Sequence, residues 1–330
     1  MARPPDRGIG REAGRPDLEG LRDARPDLDQ LRSAQGETVR EWRVSMHGGH
    51  SSEGSSHGSS TLAELLDAAV ARGMRTYGVS NHAPPSETRF LYDDEREAGI
   101  DLAGRLAQFE AYAAASAGAV EAYAGRLEVL RGFEAEVVPA ASYVEEMRGL
   151  RERYGFEYVV GSVHHVDELP IDVSQGLFDE AVERLGGLEG LLVRYYEQVA
   201  EMVEGLRPEV LGHFDLPRLL SEGDPAHEAP AVVAAADAAL EVVAVAGSLL
   251  EVNTAGYRKG LRGPYPAPRV VRRASELGVA LTFSDDSHEV AHVGANLERA
   301  RAYLLGCGVR TIGALGRASE GSIERREIPL

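Results

Sequence analysis

A single cysteine, Cys307, stands in 330 residues. One thiol excludes an internal disulfide. Its neighbours Leu304, Leu305, Gly306 and Gly308 mark it as a small buried filler rather than a nucleophile. Long apolar runs are missing too, and a bilayer needs about 20 such residues in a row, so a membrane partner is not expected. The start, Met1-Ala2-Arg3-Pro4-Pro5, lacks the apolar core of an export signal and points to a cytoplasmic protein. Basic side chains are outnumbered, 35 Lys and Arg against 53 Asp and Glu, for a net charge of -18. An acidic surface repels phosphate backbones, which argues against nucleic acid as a partner. Self-association is compatible with this composition and is not specified by it.

With 43% hydrophobic residues the chain can build a large core. Residues 1–40 contrast with it, being rich in Arg, Asp, Gly and Pro, and are expected to form a disordered tail. Within them Arg15-Pro16-Asp17-Leu18 is echoed by Arg25-Pro26-Asp27-Leu28, two copies too few for a repeat fold. One α/β domain should occupy 41–330. The capping box Thr61-Leu62-Ala63-Glu64 opens a helix whose apolar face is Leu62, Leu65, Leu66, Ala69 and Val70, and Gly73 stops it. Further helices are expected at about 102–125, 141–153, 177–206, 231–246, 266–277 and 295–306. Short β-prone runs stand between them, and the alternation gives seven β-then-α units, the pattern of a parallel barrel.

Nine histidines and acids fall where those strands end or in the loops just after: His47, His50, His57, His82, Glu134, His164, His213, Asp286 and His288. In such barrels the reactive groups gather at the C-terminal ends of the strands. Imidazoles and carboxylates crowded together need a positive partner, and divalent Zn, Fe or Mn suits nitrogen and oxygen donors. With one cysteine in the chain, thiolate ligands are not expected.

Six anchors in order resemble the PHP superfamily (polymerase and histidinol phosphatase). They are His47-Gly48-Gly49-His50, Val79-Ser80-Asn81-His82, Gly132-Phe133-Glu134, Gly161-Ser162-Val163-His164-His165, Gly212-His213-Phe214-Asp215 and Ser284-Asp285-Asp286-Ser287-His288. The segment 250–259, followed by Tyr265-Pro266, resembles the monofunctional histidinol-phosphatase branch. The resemblance covers about 43–300. It implies a distorted seven-stranded (β/α) barrel holding two or three divalent ions at its mouth. One ion would take His47, His50, Glu134 and Asp286. A second would share Glu134 and take His164 and His213. A third would take His57, His82 and His288. The family's first motif is usually His-x-His; here two glycines intervene, and a positive φ at glycine would let both rings converge. Of the adjacent Asp285 and Asp286, the family's spacing selects Asp286.

The resemblance implies a phosphomonoesterase for a small phosphorylated metabolite, with L-histidinol phosphate first. Hydroxide generated on the metals would attack phosphorus. Arg258 would grip phosphate oxygens as a planar fork, with Lys259 and Asn253 as further substrate contacts. Asp215 is a candidate acid for the leaving group. His165, adjacent to His164 on a strand, should point away, and Glu136 shares the face of Glu134. Another phosphate ester or a nucleotide is the alternative substrate. An amidohydrolase barrel would bridge its metals with a modified lysine, and no lysine lies near the third anchor. A catalytically idle metal-binding regulator would not need the full ligand set.

Overall fold

The computed structural model describes residues 41–330; the expected tail lies outside the described residues. Seven parallel strands form the core sheet in the order β1 (Val44–Ser45), β2 (Thr76–Val79), β3 (Glu128–Ala135), β4 (Tyr158–Gly161), β7 (Val210–Leu211), β8 (Leu249–Asn253) and β9 (Leu281–Ser284). A short antiparallel pair, β5 (His165–Val166) and β6 (Leu169–Pro170), stands between β4 and β7 in sequence. Met46 N donates to Phe283 O at 2.9 Å, which draws β1 against β9 and curls the sheet into a nearly closed barrel. Every residue of β2, β4, β8 and β9 is buried. That is the mark of parallel strands covered on both faces.

The helices pack outside. Thr61 and Glu64 form the expected reciprocal cap of helix Leu62–Ala71, which buries Leu62, Leu65, Leu66 and Ala69 and leaves Val70 half-buried. The stretch expected as one helix over 177–206 is two, Gln175–Arg184 and Leu188–Leu206. Gly186 and Gly187 break it at φ +81° and +105°, values that a helix cannot hold. The second of these helices buries Leu191, Leu192, Tyr195, Tyr196, Val199, Met202 and Val203, a helical stripe against the barrel and against helix Pro230–Ala246.

Beyond the last helix, Leu297–Gly306, lies an unexpected antiparallel hairpin, β10 (Thr311–Arg317) with β11 (Ile323–Pro329). It buries Ile312, Ala314 and Leu315. Arg317 joins Glu128, at the start of β3, and Glu157, just before β4. The hairpin thus covers the N-terminal end of the barrel, leaving the C-terminal end open. Cys307, expected to be buried, is half-exposed at the end of its helix. Among the described residues no helix is long and apolar enough to cross a membrane.

Candidate metal centre

At the C-terminal ends of the strands seven of the other candidates gather around Glu134, which is 1% exposed near the end of β3, and His57 stands further out. Its Oε2 lies 3.3 Å from His47 Nε2, 3.0 Å from His82 Nδ1 and 3.8 Å from His50 Nε2. Its Oε1 lies 3.4 Å from His164 Nε2 and 3.2 Å from His213 Nε2. The two oxygens therefore face two different sets of imidazoles. Asp286 adds an oxygen 3.4 Å from His50 Nε2, and the ring of His288 stacks on that of His50 at 4.3 Å.

The backbone explains the convergence. His47 and His50 follow β1 with Nε2 atoms 3.2 Å apart, although two residues separate them. Gly49 takes φ +65°, the expected positive turn. Gly48 is required by space: a Cβ there would lie 2.4 Å from Asp285 Oδ1. Asp285 accepts from Tyr77 Oη at 3.0 Å and from Gly294 N, so it faces into the fold while Asp286 faces the histidines. The Ser/Gly loop bearing His57 is held by the buried Arg105, which donates to Gly54 O at 2.8 Å and pairs with Glu95 at 2.5 Å.

The outer nitrogens of several rings meet carboxylates. His47 Nδ1 lies 2.9 Å from Glu251, and His164 Nδ1 lies 3.0 Å from Glu136. A proton on Nδ1 leaves the Nε2 lone pair aimed at the cluster, the arrangement in which histidine binds metal. His47 and His50 then meet Nε2 to Nε2 at 3.2 Å, as do His164 and His213. Such pairs need a cation between or beside them. Glu134 Oε2, His50 Nδ1 and His213 Nδ1 are buried without a hydrogen-bond partner. Three sets of donor atoms lie close enough to hold one ion each: His47 with His50 and Asp286; His82 with Glu134 and His164; His50 with His82 and His288. The residues present fit divalent metal.

Protein charges alone show the same demand. Burial favours the neutral acid, yet His47, His82 and His164 hold the Glu134 carboxyl well below its usual range. Burial lowers His164, but Glu136 and Glu134 outweigh it and raise the imidazole to about 10. His288 moves the other way, to about 4, chiefly through burial. The carboxylates thus stay ionised in a buried pocket and draw positive charge onto His164, a charge that a bound cation would supply instead.

A cavity of about 650 Å³ opens above the cluster. Arg258 and Lys259 line it, and Lys259 is the only lysine in the chain. The Arg258 guanidinium already donates to the carbonyls of Asp285 and Asp286, at 2.7 and 2.8 Å. Asp93, Asp94 and Asp172 line the cavity as well. These acids follow β2 and β4, whereas the two cations follow β8, on the other half of the ring.

Three expected residues are placed differently. His57 stands at the rim, its ring 6.1 Å from His82 and its Nε2 3.9 Å from Glu95, while the donor atoms of His50, His82 and His288 lie closer together. Asn253 is fully buried and does not line the cavity; its amide donates to Glu251 at 2.8 Å and to Asp286 at 3.3 Å. Asp215 is buried outside the cavity, where its carboxylate accepts from Ala267 N at 2.7 Å and Arg218 at 3.1 Å. That leaves it no path to a leaving group. His165 points away from the cluster toward Phe90, as expected. Sequence reading missed Glu251 and Asp172. A glutamate inside an apolar strand is a signal for the first, since burying it needs a polar partner; Asp172 carries no local signal.

Fold and site together define a metal-dependent hydrolase barrel. The PHP domain model matches residues 48–255, and the chain belongs to the PHP domain family, within its histidinol-phosphatase group. A Deinococcus radiodurans protein assigned as a histidinol-phosphatase is 31% identical, over 78% of this chain and 91% of its own. The histidinol-phosphatase of Saccharomyces cerevisiae is 27% identical, over 78% and 87%. Among solved structures, a Listeria monocytogenes protein assigned as histidinol phosphatase superposes with TM-score 0.68 at 25% identity, over 78% of this chain and 99% of its own. Histidinol phosphate phosphatase of Lactococcus lactis, solved with zinc, L-histidinol and phosphate, shares the fold with TM-score 0.61 at 15% identity, over 86% and 99%.

Proposed function

We propose that this chain hydrolyses L-histidinol phosphate to L-histidinol and phosphate in the cytoplasm, using two or three divalent metal ions. The observation that carries this reading is the division of Glu134, one oxygen toward His47 and His82 and the other toward His164 and His213. Metal held there supplies hydroxide at neutral pH and offsets the charge of a phosphate. His47, His50, Glu134 and Asp286 would hold one ion, and Glu134, His164 and His213 another. His82 and His288 would hold the third, with His57 at the rim beside His82. Zinc is the first choice, because it accepts imidazole and carboxylate and accompanies the Lactococcus lactis protein; manganese and iron suit the same donors.

The chain's own charges orient the substrate. Arg258 and Lys259 face the phosphate from the β8 side of the cavity. Asp172, with Asp93 and Asp94, faces the ammonium-bearing leaving group from the β2 and β4 side. Histidinol phosphate is a zwitterion with this separation of charge. Buried Glu251 and Glu136 fix the imidazoles so that their lone pairs point inward.

A panel of phosphate esters tests the reading. Phosphate release from L-histidinol phosphate should exceed that from mononucleotides and sugar phosphates by at least an order of magnitude in kcat/KM. A mononucleotide as the preferred substrate would overturn it.

A further inference from the structure

We propose that Glu251 is the positioning residue that ties two metal positions together and holds His47 in its metal-binding tautomer. The inference rests on the metal-dependent reading above and deepens it, because Glu251 reaches His213 and Asn253 as well as His47.

Glu251 lies in the middle of β8, between β7 and β9, with its side chain turned into the barrel and 0% exposed. A carboxylate buried this deeply is stable only when its lone pairs are filled. Four donors fill them. Oε2 accepts from His47 Nδ1 at 2.9 Å and from Ser284 Oγ at 2.7 Å. Oε1 accepts from the backbone N–H of His213 and from Asn253 Nδ2 at 2.8 Å. One oxygen thus orients a ligand of the first metal set, and the other fixes the backbone of a ligand of the second. Through Asn253 the same carboxylate also braces Asp286 at 3.3 Å.

The donor count makes Glu251→Gln informative. A glutamine amide has one acceptor where the carboxylate has two. Turning its NH₂ toward His213 opposes it to a backbone N–H that cannot rotate away. Turning it toward Ser284 and His47 lets the serine hydroxyl rotate, but His47 must then accept at Nδ1. Its proton moves to Nε2, and the nitrogen facing Glu134 no longer has a free lone pair.

The test measures zinc per chain, thermal melting of the metal-free protein, and steady-state kinetics for wild type and Glu251→Gln. Expected are one fewer tightly held zinc per chain, a 10- to 100-fold lower kcat, and an unchanged KM for the phosphoester. Unchanged zinc content with unchanged kcat would overturn the proposal. So would unchanged zinc content with a lowered melting temperature, since that marks a packing role alone. Wild-type protein that binds no zinc, manganese or iron would instead overturn the metal-dependent reading. If Glu251→Gln does not fold, ¹⁵N NMR of zinc-loaded wild type decides: His47 should carry its proton on Nδ1, and a proton on Nε2 would refute the assignment.

Discussion

Glu136 holds His164 Nδ1 at 3.0 Å while the opposite nitrogen of that ring lies 3.4 Å from Glu134. The same carboxylate meets His82 Nδ1 at 3.2 Å. One buried glutamate thus orients the His164 ring toward the cluster and lies beside the His82 nitrogen that faces Glu134. Glu136→Gln should lower activity by about 10–100-fold, the usual cost of losing such a brace. Added zinc should restore part of the rate, because the ligands themselves remain. Titration of activity against free zinc checks this, and a wild-type curve would remove Glu136 from the site.

Much of this is legible in the sequence. Histidines at successive strand ends mark a barrel mouth, because a parallel strand exposes its C-terminal end to the site whatever the helices do. His47 and His50 could be paired from the two glycines between them, since only glycine readily takes the positive φ that Gly49 shows. His57 stands at the rim on a loop held by Arg105 and Glu95, and how near that loop brings it to His82 is not encoded in the spacing. Asp215 follows His213 by two residues, yet Arg218 and Ala267 N draw it away from the cavity. The hairpin of β10 and β11 escaped because Ile323–Pro329 has four charged residues in its middle and reads as a polar tail.

Gly48 sits where no side chain fits. A Cβ would meet Asp285 Oδ1 at 2.4 Å and Tyr77 Oη at 2.8 Å, both buried. Gly48→Ala should therefore cost about 1–3 kcal/mol of stability, the range for overpacking. It should also shift His47 and His50 and weaken metal binding. Differential scanning calorimetry with metal analysis would check both, and wild-type values in each would show that the loop has room to spare.

Asp172 follows Ile171, whose N–H donates to His164 O at 3.0 Å, so the carboxylate is anchored beside the cluster. One Asp172 oxygen is buried without a partner. Asp172→Asn should raise KM for L-histidinol phosphate about tenfold or more, the worth of one charged contact. It should leave KM for p-nitrophenyl phosphate, whose leaving group has no ammonium, within about twofold. Equal changes for both esters would place Asp172 outside leaving-group recognition.

Lys259 can be watched directly, being the only lysine in the chain. Reductive methylation with ¹³C-formaldehyde should yield two amine signals, one from Lys259 and one from the N-terminus. Inorganic phosphate added to the zinc-loaded protein should move the Lys259 signal and leave the other in place. A Lys259 signal indifferent to saturating phosphate would remove this residue from the phosphate site.

The most direct measurement is turnover of L-histidinol phosphate against metal content. Exhaustive treatment with a chelator should abolish phosphate release, and stepwise addition of zinc, manganese or iron should restore it in proportion to the ions bound at the Glu134 cluster. Full activity in protein shown to hold less than a tenth of an ion per chain would contradict metal-dependent hydrolysis.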